Sequence, residues 1–219
     1  MCGRFTLIHP ETLQERFATQ QALPGLLPRD NIAPGQPVVI VTNERELEPA
    51  RWGLVPRWAR DARSGTAPIN ARAETVAAKP AFREPFRHRR CLIPATGFYE
   101  WRATPAGKVP YHFRPTDQEV FGMAGLEGTW IDANGRELRT CAVITTVANE
   151  LVAPIHDRMP VILSPEDEAL WLDPEVADPA CLQTLLQPYH ARAMEAHPVS
   201  TAINRVWTGH EADAQLRAA

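Results

Sequence analysis

Thr140-Cys141-Ala142-Val143-Ile144-Thr145-Thr146-Val147 is an unbroken run of small and β-branched residues, without glycine, proline or charge. Branching at Cβ restricts a side chain in a helix and suits the pleated surface of a strand, so this stretch predicts extended backbone. Its length, eight residues, is that of a strand and too short for a typical buried helix. Weaker strand signals surround it: Val38–Val41 after the turn-rich Ala33-Pro34-Gly35-Gln36-Pro37, Arg51–Val55 closed by Pro56, Cys91–Pro94, Gly97–Trp101, Tyr111–Arg114, Val120–Ala124 and Val199–Ile203. Helical signals are short. Pro10–Gln20 places Leu13 and Phe17 four apart on one face, Glu74–Phe86 holds turns interrupted by Pro80 and Pro85, and Leu182–Leu186 reads as helical. Ser164-Pro165-Glu166 opens a capped helix with proline at its first position. A short turn or helix follows near Asn149–Ala153, then a loop over Pro154–Pro160, and Asp61–Thr66 reads as an exposed loop. Strands and short helices mix without regular βαβ alternation, which predicts an α+β fold with a mainly antiparallel sheet.

The 219 residues suffice for one sizeable core, and 44% hydrophobic with 22% charged residues is ordinary globular composition. The 21 prolines predict short segments joined by irregular loops. No run of eighteen apolar residues suggests a membrane span. Met1-Cys2-Gly3-Arg4-Phe5-Thr6 lacks a basic leader followed by an apolar stretch, so no secretory signal is expected. The four cysteines lie far apart, with no CxxC pair, so neither a zinc site nor a disulfide framework is expected, and no metal or other cofactor. A reduced, intracellular setting follows as the expectation. Residues 1–110 carry 16 basic and 10 acidic side chains, residues 111–219 carry 7 and 16. That asymmetry suits a polyanion-binding face in the first half, and a solvated basic surface accounts for it equally. Of the 23 basic residues 21 are arginine, whose planar fork matches phosphate.

Cys2 follows the initiator methionine directly. Small second residues permit removal of Met1, which would leave one carbon skeleton bearing both an α-amine and a thiol. In solution an α-amine titrates near ~7.7–8.0 and a thiol near ~8.5, so both offer nucleophile near neutral pH. A 1,2-aminothiol condenses with an aldehyde to an imine and closes to a five-membered thiazolidine. The plain alternative is a small residue at an unimportant terminus. His156, in Pro154-Ile155-His156-Asp157-Arg158-Met159-Pro160, sits among charges in a proline-flanked loop where a histidine can act as acid or base. Glu100, flanked by aromatics in Gly97-Phe98-Tyr99-Glu100-Trp101, is either a salt-bridged structural residue or a functional acid. In an extended Ile69-Asn70-Ala71-Arg72-Ala73-Glu74-Thr75, Asn70 and Arg72 project from one face.

Taken together, MCGRF (1–5), NIAPG (31–35), RWGLVPRWA (51–59), INARAET (69–75), CLIPATGFYEW (91–101), VITTVAN (143–149), PIHDRMPVIL (154–163) and HPVS (197–200) closely resemble the SRAP family, the SOS response-associated peptidase proteins that shield abasic sites. The resemblance covers nearly everything from residue 1 to about 204. It implies a single compact domain over residues 1–219 with a barrel-like β core and short flanking helices. By the same resemblance Cys2 is the nucleophile, Asn70 orients the new terminus, Glu100 stands beside the α-amine, and His156 is the acid/base that opens the sugar. Arg4, Arg72 and Arg158 resemble phosphate contacts, while Pro34, Trp52 and Trp58 lie in segments that line the DNA channel and wedge bases apart. The implied activity is a covalent crosslink to abasic sites in single-stranded DNA with self-processing of the N-terminus. Single-stranded DNA is thus the expected partner, the replication machinery a second candidate, and a monomer in the cytoplasm, on the nucleoid when bound, the expected state. Two features depart from the pattern: Ala59 follows Trp58 where some relatives carry a second aromatic, and the tail beyond Asn204 is unlike theirs. A cysteine peptidase using Cys2 and His156, a non-covalent reader of modified or single-stranded DNA, and a structural or interaction protein are the competing readings.

Overall fold

The structure, a computed structural model, describes residues 2–62 and 67–206. The strands are β1 (Phe5–Leu7), β2 (Arg29–Ile32), β3 (Pro37–Thr42), β4 (Leu47–Trp52), β5 (Asn70–Arg72), β6 (Arg90–Ala95), β7 (Gly97–Thr104), β8 (Gly107–Pro115), β9 (Phe121–Ile131), β10 (Glu137–Val147), β11 (Arg158–Pro160) and β12 (Met194–Pro198). The helices are short: α1 (Leu13–Arg16), α2 (Arg83–His88), α3 (Pro165–Leu172) and α4 (Pro179–Thr184).

The TCAVITTV run lies in β10, and residues 140–146 are all buried, because this strand is covered on both faces and occupied on both edges. Its first half pairs antiparallel with β9, from Glu137↔Ile131 to Val143↔Gly125, and parallel with β4 at Thr140↔Arg51 and Cys141↔Trp52. The path β10-β4-β3-β6-β9 returns to β10, so five strands close on themselves and leave no edge on that ring. Inside it the chain packs closely. A Cβ on Gly125 would stand 2.9 Å from Cys91 Sγ and 3.0 Å from Ile93 Cδ1, so this wall position has no room for a side chain. Beyond Val143, β10 exchanges its neighbours for two short strands: parallel β5 (Val143↔Asn70 to Thr145↔Arg72) and antiparallel β11 (Thr145↔Pro160 to Val147↔Arg158).

A second, antiparallel sheet, β12-β8-β7-β1-β2, packs against this barrel. Phe5 of β1 meets Trp52 of β4 edge to face at 5.1 Å, joining the two sheets in one hydrophobic core.

Several elements differ from the sequence expectation for local reasons. Pro10–Gln20 yields a 3-10 turn over Pro10–Thr12 and the single turn α1, yet Leu13 and Phe17 share the buried face. The strand expected over Arg51–Val55 lies earlier, because Gly53 takes φ +131° and turns the chain out of the sheet. Val199–Ile203 is not a strand: Ser200 caps a 3-10 turn over Thr201–Asn204, its Oγ accepting the Ala202 N–H at 3.2 Å, and the strand precedes it as β12. The helix after Ser164 forms as expected, with Ser164 Oγ accepting the Asp167 N–H at 3.2 Å and Trp171 fully buried. Of the expected loop Asp61–Thr66, residues 63–66 lie outside the described residues, as does the tail from 207 onward. No helix among the described residues is long and apolar enough to cross a membrane, and none of their His, Cys, Asp and Glu side chains cluster in groups of three that could hold a metal. All four cysteines are free thiols.

Candidate functional site

The site forms where β1 and β7 run past the far end of β10. Phe5↔Phe98 and Thr6↔Gly97 pair the two strands, and the Tyr99 N–H donates to the Arg4 carbonyl at 2.9 Å, continuing the ladder toward the N-terminus. This antiparallel run carries Cys2 toward Glu100. From β5, Asn70 Nδ2 donates to the Cys2 carbonyl at 2.9 Å, while Asn70 Oδ1 is buried without a hydrogen-bond partner among the described residues. Cys2 is fully buried, and burial, reinforced by the Glu100 charge, drives its thiol far above the ordinary range. This corrects the solution-based expectation that the sulfur offers thiolate near neutral pH, because a charged sulfur is unfavourable in this dry setting.

Glu100 is 3% exposed. Burial pushes its carboxyl up to about 7 against the pull of the N-terminal amine, which lowers it, while the carboxylate of Asp157 adds a smaller upward push. It therefore both accepts and donates a proton near neutrality. His156 lies in the loop between β10 and β11. Its Nδ1 accepts the Arg158 backbone N–H at 2.9 Å and also lies 3.0 Å from Asp157 Oδ1. One nitrogen cannot accept the first and donate to the second. The Arg158 N–H is fixed in the backbone, whereas the Asp157 side chain is 87% exposed and turns readily into water. Burial also lowers the imidazole pKa. The state this geometry holds is the neutral ring with its proton on Nε2.

The arginines fall into two groups. Arg72, at the end of β5, is exposed and shares a face with Asn70, with Ala71 fully buried between them. Arg4 and Arg158 are engaged inside the molecule. Arg4 Nη1 donates to Asn31 Oδ1 (2.8 Å) and to the Ile203 carbonyl (2.7 Å), with its guanidinium 5.7 Å over the Trp101 ring. Arg158 donates through Nη1 and Nη2 to both oxygens of Glu74, at 2.6 and 3.0 Å, and through Nη2 to the Thr145 carbonyl.

Among the residues expected to meet DNA bases, Trp58 is 69% exposed, on a loop pinned by the Trp130 Nε1–H to the Ala59 carbonyl at 2.7 Å. Pro34 is exposed in the turn before Gly35. Trp52 is a correction: at 1% exposure, with Nε1–H donating to the Ile69 carbonyl at 2.9 Å and its ring against Phe5, it has no free face for a base and belongs to the core. The fold thus gathers Cys2, Asn70, Glu100 and the 156–158 loop, sets Arg72 beside them, and withdraws Trp52. Sequence reading assigned no part to Glu74, Asp157, Asn31 or Trp101. An acid two residues beyond Arg72, in the same INARAET string, was the available signal for Glu74.

Comparison with known proteins places this geometry in context. The family model described as SOS response associated peptidase (SRAP) matches residues 1–206. The abasic site processing protein YoqW of Bacillus subtilis is 46% identical over 211 residues, covering 93% of this chain and 94% of that protein. The abasic site processing protein HMCES of Gallus gallus is 34% identical over 190 residues, 75% of this chain and 56% of its own length. A crystal structure of a Bacteroides thetaiotaomicron protein superposes with a TM-score of 0.85 at 32% identity, covering 91% of this chain and 93% of that one. Matched by the family model over nearly its whole length, and sharing almost half its residues with a relative of similar size, the chain belongs to the SOS response associated peptidase family.

Proposed function

We propose that this protein processes abasic sites in single-stranded DNA by bonding them covalently through Cys2 after loss of Met1. The relatives named as abasic site processing proteins support the general activity. The observation that carries the covalent reading is the Asn70 bond to the Cys2 carbonyl at 2.9 Å beside a buried Glu100 whose carboxyl titrates near 7.

Hydrolysis of the Met1–Cys2 peptide, a self-processing step consuming one water, frees the Cys2 α-amine. Asn70 Oδ1, a buried acceptor, suits an N–H of that amine. Because the thiol is held protonated, the amine is the first nucleophile. Glu100 takes a proton from the ammonium form, and the amine adds to C1′ of the ring-opened sugar. Water then leaves to give the imine, with protonated Glu100 able to supply the proton. The sulfur adds to the imine carbon while the thiol proton passes to nitrogen, closing the thiazolidine with net loss of one water. Closure is intramolecular, where effective molarities reach roughly 10⁵–10⁸ M, so a neutral thiol suffices. His156, neutral with its proton on Nε2, assists opening of the cyclic sugar. Arg72 faces solvent on the side of Asn70 and suits a flanking phosphate, and Trp58 suits an unstacked base.

Intact-mass spectrometry after incubation with an abasic single-stranded oligonucleotide tests this reading. The expected species lacks Met1 and carries the oligonucleotide mass less one water, and Cys2→Ala gives none. Retained Met1 with no adduct, or turnover of unrelated peptides without an adduct, overturns it.

A further inference from the structure

We propose that Glu74 is a positioning residue for His156: it clamps Arg158, whose main chain holds the imidazole in the tautomer that works as acid and base. The proposal deepens the abasic-site reading and rests on it for the role of His156.

Glu74 lies in the 3-10 turn that follows β5, and Arg158 opens β11. The two short strands flank β10, which places Thr145 between Arg72 on one side and Pro160 on the other. The Glu74 carboxylate receives both Nη groups of Arg158, and Nη2 also reaches the Thr145 carbonyl, so one guanidinium ties β11 to β10 and to the turn that follows β5. Arg158 is 9% exposed and its Nε is buried without a hydrogen-bond partner among the described residues. Without the carboxylate, the guanidinium would be a buried charge lacking its counter-ion, a state that side chains leave by moving to water. The backbone N–H of the same residue is what His156 Nδ1 accepts at 2.9 Å, so movement of Arg158 displaces the donor that fixes the ring. Besides burial, the charged groups acting on His156 are the N-terminal amine and Arg158, which lower its pKa, and Asp157, which raises it; Asp157 also acts on Glu100 of β7.

The clamp also separates two tasks usually given to arginine. Without DNA both Nη groups of Arg158 are engaged within the protein, whereas Arg72 is exposed and feels the same Glu74 carboxylate. Removing Glu74 makes the region more positive, so a purely electrostatic role predicts tighter DNA binding with an unchanged imidazole.

Glu74→Gln, Glu74→Asp and Arg158→Lys in the full processed chain test the proposal. Three readouts are the rate of adduct formation against pH, affinity for an undamaged oligonucleotide, and ¹⁵N spectra of the His156 ring. Glu74→Gln is expected to slow adduct formation by about tenfold or more, a fraction of what a general acid/base contributes. It should also displace the pH profile and lose the single Nε2–H signature without weakening affinity for undamaged DNA. Glu74→Asp restores part of the rate. Arg158→Lys, which keeps the charge but not the fork, reproduces the loss even if Glu74→Gln fails to fold. A wild-type rate and ring spectrum in Glu74→Gln overturn the proposal, as does a parallel fall in rate and DNA affinity with the ring unchanged. If wild-type protein forms no adduct, the abasic-site reading fails, and the ring spectra alone decide whether Glu74 sets the tautomer.

Discussion

The two ends of β10 are one continuous strand in two different settings. Over Glu137–Val143 it runs along β9 and, at Thr140 and Cys141, also beside β4 in the closed ring, and its buried residues from Thr140 on meet apolar neighbours such as Trp52 and Leu126. Over Ile144–Val147 its partners are three-residue strands, too short to hold register by backbone pairing alone. There the structure relies on side-chain ties: Asn70 to the Cys2 carbonyl, Glu74 to Arg158, Arg158 to Thr145. The barrel end draws its stability from burial. The site end is buried as well, Ile144 and Thr145 included, and adds a few polar side-chain ties that hold Cys2, Arg158 and Thr145 in place.

Substitutions at the two ends should therefore fail in different ways. Cys2→Ser has the largest expected effect: complete loss of a heat-stable adduct on denaturing gels, with a cost in urea unfolding of no more than about 1–3 kcal/mol for a hydroxyl in this buried position. A stable adduct from this variant would mean the sulfur is not the second bond. Trp52→Ala, on the barrel side, should cost about 3–5 kcal/mol in urea unfolding, the range for truncating a buried tryptophan. A loss of DNA affinity without such destabilisation would return Trp52 to the DNA surface.

Glu100, on β7, combines the burial of the barrel with a titratable carboxyl at the site. Its folded pKa, about 7, lies above the ordinary carboxyl value of 4.5, so its stabilising contribution is present below pH 4.5 and lost as pH rises through 7. Glu100→Gln should thus be more stable than wild type at pH 8 by about 3 kcal/mol, and similar near pH 4, while forming the adduct more slowly. Identical midpoints at both pH values would show that the carboxyl is not held in its neutral form. Trp58→Ala should leave the midpoint within about 0.5 kcal/mol and weaken single-stranded DNA binding by about 1–3 kcal/mol if one base stacks there. Arg72→Ala is expected to be mildest, reducing the salt dependence of binding by roughly one phosphate contact.

What could be read in advance follows the same division. TCAVITTV announces a strand because every residue in it favours extended backbone, and Ser164-Pro165 announces a helix because capping is local. β1, β5 and β11 were not legible as strands, since three residues carry no period and owe their conformation to a long neighbour. Cys2, Asn70, Glu100 and His156 could be singled out by residue type and family resemblance, but not the protonation of Cys2, Glu100 and His156, which burial shifts most. Trp52 and Trp58 look alike in RWGLVPRWA. The turn at Gly53 separates the last residue of a barrel strand from a surface loop. Arg4 and Arg158 resemble free cations in sequence because their partners, Ile203 and Glu74, lie 199 and 84 residues away.

The unbroken course of β10 also bears on motion. With no glycine between the ring and the end that meets β5 and β11, the two are expected to open together, so slow opening of one is communicated to the other. Amide protons of Val143 and Ile144 should exchange with solvent only as fast as the barrel itself comes apart. Loosening the ring wall at Gly125, where a methyl group would strike Cys91 and Ile93, should therefore register as blurred alignment around Cys2 even though no atom there has been altered.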